Sequence, residues 1–144
     1  MNSLLKQPML RAVLAILTLL AADLLQAEQP WWSGEYKGRM TVGTRFTQED
    51  VRVTVDAKGN MTLWRVRFAR LMPVKIDVTV PGVHVTETPS EATLKGQNIV
   101  PQTDGKAYPS RTVTDLHGTI RKRQLQVMMQ FGDKSLQFSG EKRE

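Results

Sequence analysis

The chain has 144 residues, a formal net charge of +6 and no cysteine. That length suits a single domain, and the missing thiol excludes disulfides, thiol catalysis and cysteine-ligated metals. One unit of the positive charge belongs to residues 1–27, where Lys6 and Arg11 outnumber a single acid, Asp23.

Residues 1–27 read as a helical, cleavable signal peptide. Lys6 and Arg11 make a basic start, Ala12–Leu20 (AVLAILTLL) is apolar or small throughout, and residues 21–27 offer small side chains to a peptidase. Cleavage is expected after Ala27. The apolar stretch is short of the roughly 20 residues that a membrane-crossing helix needs. No cysteine follows it, so lipid anchoring as a lipoprotein is chemically excluded. The expected location is periplasmic or secreted. Residues 28–144 then form one domain that core burial alone must hold together.

From Tyr36 onward apolar residues recur at every second position, which is the period of a strand. Tyr36, Gly38, Met40 and Val42 share one face, with Lys37, Arg39 and Thr41 on the other. Val51, Val53 and Val55 follow, and Asp56–Asn60 makes a tight turn around Gly59. The next strand is read with Thr62, Trp64, Val66 and Phe68 inward and Leu63, Arg65 and Arg67 outward. Val74, Ile76, Val78 and Val80 form another inward row, ended by the bend Pro81-Gly82. Val83, Val85 and Leu94 mark further strands, and a polar loop bounded by Pro101 and Pro109 interrupts the pattern. Leu116, Gly118 and Ile120 precede the turn Arg121-Lys122-Arg123. Leu125, Val127, Met129 and Phe131 then alternate with the polar Gln series, and Leu136, Phe138 and Gly140 close the chain. The sum is an all-β domain of about eight antiparallel strands joined by short connections, a meander barrel.

One motif repeats on the inward face: a large apolar residue, any residue, then Gly. It occurs as Tyr36-Lys37-Gly38, Leu94-Lys95-Gly96, Leu116-His117-Gly118 and Phe138-Ser139-Gly140. Glycine weakens a strand, so a barrel corner or a close approach of chains is expected at these positions.

The blocks Gly34–Val42, Val51–Phe68, Val80–Thr86, Leu116–Ile120 and Phe138–Lys142 together resemble the calycin-like domain of exported Bacteroidetes proteins, a relative of lipocalins and avidins. The resemblance implies an eight-stranded meander barrel and no settled activity. Lipocalins proper carry Gly-x-Trp in the first strand, whereas here Trp31 and Trp32 precede Gly34. A lipocalin ligand is therefore not implied.

Catalytic signatures are missing from the sequence: there is no nucleophile elbow, phosphate loop or calcium loop. The two histidines, His84 and His117, fall on polar strand faces without metal-ligand spacing. No enzyme activity, cofactor or metal is expected. A binding module is expected instead, with Met40, Trp64, Phe68, Tyr108, Met129 and Phe131 as candidate contacts for a small apolar or amphipathic ligand. An eight-stranded barrel is either filled by its own side chains or holds one small ligand, and the pattern leaves both open. The alternative is a protein-interaction, inhibitor or accessory role through the outer surface and loops. There Lys37, Arg39, Arg52, Arg65 and Arg67 would share one face and could meet an acidic protein or an outer-membrane surface. Nucleic acid is not an expected partner.

Overall fold

The computed structural model describes residues 29–143. The predicted signal peptide and its cleavage point lie outside the described residues. Two compact units divide between Trp31 and Trp32, and the second, from Trp32 on, carries the fold.

That unit is one antiparallel sheet of eleven strands. In chain order they are β1 (Gly34–Val42), β2 (Phe46–Val55), β3 (Met61–Val66), β4 (Ile76–Val80), β5 (His84–Glu87), β6 (Glu91–Ile99), β7 (Gln102–Thr103), β8 (Lys106–Ala107), β9 (Val113–Arg121), β10 (Gln124–Phe131) and β11 (Lys134–Lys142). Their order across the sheet is β5-β6-β9-β10-β11-β1-β2-β3-β4-β7-β8. The all-β, antiparallel reading holds, but the count of eight and the simple meander do not. The loop from Pro101 to Pro109, read as irregular, contains the hairpin β7–β8, which pairs with β4 through Thr79 and Gln102. Asp104 and Gly105 both take positive φ in its two-residue turn, the geometry that matches strand twist. The hairpin carries the sheet away from β6, so β6 pairs next with β9. Ladders do not join β5 to β8, and the sheet is a curled half-barrel with two edges.

The inner face holds the core. Tyr36, Met40, Met61, Leu94, Ile120, Leu125 and Leu136 are buried there, with Phe138 beside them. Tyr36 places its only polar atom well: its hydroxyl donates to the Trp32 carbonyl at 2.7 Å. The alternation read in β1, β2, β9, β10 and β11 matches the inward faces. Val74 does not match, because β4 begins only at Ile76 and Val74 stands 63% exposed after Pro73.

Two bulges coil the sheet. Between Gly38 and Met40 of β1, β2 supplies an extra residue, and Asp50 takes a φ of 56°. Between Leu63 and Val66, β3 carries an extra residue against β4, and Arg65 takes a φ of 52°. Gln48 ties the second bulge to β2. Its amide donates to the Arg65 carbonyl at 2.9 Å and accepts from the Arg67 N–H at 3.1 Å, while Asp77 accepts the Arg65 N–H at 2.8 Å. A bulge shifts which residues face inward. Met61, Leu63, Val66 and Phe68 therefore face the core, and Thr62 and Trp64 do not.

Candidate functional site

The strand registers place three connections at one end of the half-barrel: the turn at residues 43–45, the long β3–β4 loop, and the turn at Gly132-Asp133. The segment 101–111 packs over the same end, with the Tyr108 N–H donating to the Pro101 carbonyl at 2.8 Å. Beneath it lies a mainly apolar cavity. It offers about 70 Å³ to the centre of a water-sized molecule, room for on the order of five such groups. Phe68, Met72, Ile76, Tyr108, Met129 and Phe131 are among its walls, and Arg111 and Thr103 are its polar lining. Phe68 and Phe131 meet edge to face at 5.5 Å and 70°.

Four of the six candidate ligand contacts, Phe68, Tyr108, Met129 and Phe131, are thus brought together in one hollow. Met40 is not among them; it is fully buried in the core. Trp64 was expected inward and stands on the outer face. The bulge at Arg65 sets it there, opposite Arg52 in the β2–β3 register. Its indole N–H donates to the Thr54 hydroxyl at 2.9 Å, and the Arg52 guanidinium lies 4.7 Å from its ring centroid. The sequence reading missed Met72, in the β3–β4 loop, and placed Ile76 on an inward row without naming it a ligand contact. Pro73 was the available sign that the inward row begins later than Val74, since a proline interrupts strand pairing.

The five basic candidates do lie on or near β1–β3, but their charges are partly met. Arg39 pairs with Glu49 at 2.7 Å, and Arg52 with Glu35 at 3.1 Å. Lys37 sits opposite Arg52 on one side and Glu141 on the other. Arg65 lies in the bulge and Arg67 just after β3, and Gln48 holds the backbone of both. A shallow groove of mixed character opens farther along the outer face, with Thr93, His117, Thr119, Gln126, Met128 and Gln137 in its lining. His117 approaches Asp115 there at 3.3 Å, both half exposed. Among the described residues, no three His, Asp or Glu side chains come together as a metal site.

No protein-family model, curated protein or solved structure matches this chain. The resemblance to the calycin-like domain rests on the sequence blocks alone.

Proposed function

We propose that this protein is an exported, non-enzymatic binding module of calycin-like type, which holds the apolar end of a small amphipathic ligand in the cavity under segment 101–111. The observation that carries this reading is the cavity itself: a hollow walled by Phe68, Met72, Met129 and Phe131 with a cation, Arg111, in its lining. The core beyond it is filled by side chains, so the ligand enters one end of the half-barrel and does not thread it.

The dimensions limit the ligand. Burying about five methylene groups at ~0.8 kcal/mol each yields ~4 kcal/mol, which alone supports only about millimolar affinity. An anionic head group near Arg111 would add to that. A medium-chain carboxylate has both parts. The alternative, an acidic partner on the outer face, has less support because Arg39 and Arg52 already have carboxylates.

Methionine methyl groups provide the test. Met72 and Met129 line the cavity, Met40 and Met61 lie in the filled core, and Met128 is on the outer face. In protein carrying isotope-labelled methionine, decanoate should shift the resonances of Met72 and Met129 and leave Met40 and Met61 in place. A shift confined to Met128 would move the site to the outer groove, and no shift at any of them would end the ligand reading.

A further inference from the structure

The connection from β3 to β4 runs Arg67-Phe68-Ala69-Arg70-Leu71-Met72-Pro73-Val74-Lys75 and contains no acid. Leu71 is 93% exposed at its tip and Val74 63%. One exposed aliphatic residue requires no explanation, but two protruding from a loop edged by cations present a specific chemistry. A groove beside Leu71 is lined by Val42, Phe46, Phe68 and Ala69 and bordered by Arg45, Arg70 and Lys134. Neither this groove nor the cavity on the other side of Phe68 has an acid in its lining. Among the described residues, Arg45, Arg70, Lys75 and Lys134 take part in no ion pair, whereas Arg39, Arg52 and Arg121 on the strands each have one. The turns at 43–45 and 132–133 and the β3–β4 loop hold one acid, Asp133, against these unpaired cations, so this end is net positive where the apolar tips protrude.

A protruding apolar loop ringed by unpaired cations fits a surface that is apolar below and anionic above. A bilayer bearing anionic lipids offers both layers and, being fluid, needs no shaped counterpart. We propose that this end of the half-barrel docks on an anionic lipid surface. Leu71 and Val74 enter the boundary between head groups and acyl chains, and Arg45, Arg70, Lys75 and Lys134 lie against the head-group phosphates. The proposal concerns the rim and stands whether or not the cavity takes a ligand.

The absence of cysteine makes the test direct. Leu71→Cys and, separately, Ala57→Cys in the β2–β3 turn at the other end are introduced into the full chain and labelled with an environment-sensitive dye. Each is mixed with vesicles of phosphatidylglycerol and phosphatidylcholine, or of phosphatidylcholine alone. A blue shift at position 71 and none at position 57, on the anionic vesicles only, is the expected result. Because the readout is positional, attachment through residues 1–27 cannot imitate it. Adding Arg70→Gln with Lys75→Gln should weaken the partition on the order of tenfold to thirtyfold. An equal response at both positions, no response at either, or the same shift at position 71 without vesicles, as self-association would give, overturns the proposal. So does an equal response to a soluble acidic polypeptide.

Discussion

Replacing Gly38 by Ala adds one methyl group at a point where the structure has no space for it. A Cβ there would run into the Ser139 carbonyl oxygen and the Gly140 Cα, both main-chain atoms of β11. Gly38 faces Gly140 directly in the β1–β11 register, and β2 bulges beside it. Overpacking of a core costs about 1–3 kcal/mol, and an obstruction made of paired backbone belongs at the upper end. Relief of glycine's entropy returns about 0.5–1 kcal/mol, which leaves a net loss of ~2 kcal/mol. Gly96→Ala is the matched control, drawn from the same sequence motif. Its Cβ would meet chiefly the Cδ1 of Ile99 at 2.6 Å, the far end of a side chain that can rotate away. It should stay within about 0.5 kcal/mol of the parent. Urea titrations of the three proteins, with unchanged m values, give the comparison. Equal costs for the two variants, or a neutral Gly38→Ala, would refute the argument that close approach of β1 and β11 requires glycine.

Leu63→Ala should cost about 2–5 kcal/mol as a buried truncation, and Trp64→Phe only about 1–2 kcal/mol, for the lost indole N–H bond to Thr54 and a weakened cation–π contact with Arg52; the reverse order in denaturant titrations would return Trp64 to the interior. Burial pushes the Tyr36 hydroxyl up to about 12 from an ordinary 10.0. The folded state thus resists an ionisation that the unfolded chain accepts, so stability is intact below pH 10 and falls as pH rises toward 12. Tyr36→Phe should flatten that decline relative to the parent, and an unchanged slope in alkaline unfolding would contradict it. Burial works to raise the Asp56 carboxyl, but the Asn60 and Lys58 hydrogen bonds and the Lys58 charge outweigh it and hold the group below 3.8. Its stabilisation is therefore present above that value and lost as pH falls below it. Asp56→Asn should remove this part of the acid decline, and an identical acid limb in thermal unfolding would show that the turn at 56–60 makes no such contribution.

The inward rows of β10 and β11 were legible because Leu125 to Met129 and Leu136 to Phe138 keep a strict period of two and no bulge interrupts them. In β3 the same rule failed. Arg65 adds a residue, so an alternation extrapolated backward from Val66 and Phe68 assigns Thr62 and Trp64 to the wrong face. Met61 and Leu63, both apolar around a threonine, held the correct phase. The hairpin β7–β8 was hidden by its brevity, two residues a side, although Asp104-Gly105 is a turn signal of the right kind. Four cavity residues were legible as large apolar side chains near strand ends. Their convergence was not, because it depends on where segment 101–111 folds back, and nothing local in the sequence states that.

Filling the cavity tests its role as a ligand site most directly. Val78 lines it and is nearly buried, and Val78→Phe would occupy much of the available space. Calorimetric titration with decanoate should show binding to the parent protein with a negative heat-capacity change, the mark of apolar burial. The filled variant, shown to be folded by its own thermal transition, should bind at least about tenfold more weakly, a loss of ~1.4 kcal/mol. Equal affinity in the two proteins would contradict the assignment of this cavity as the ligand site.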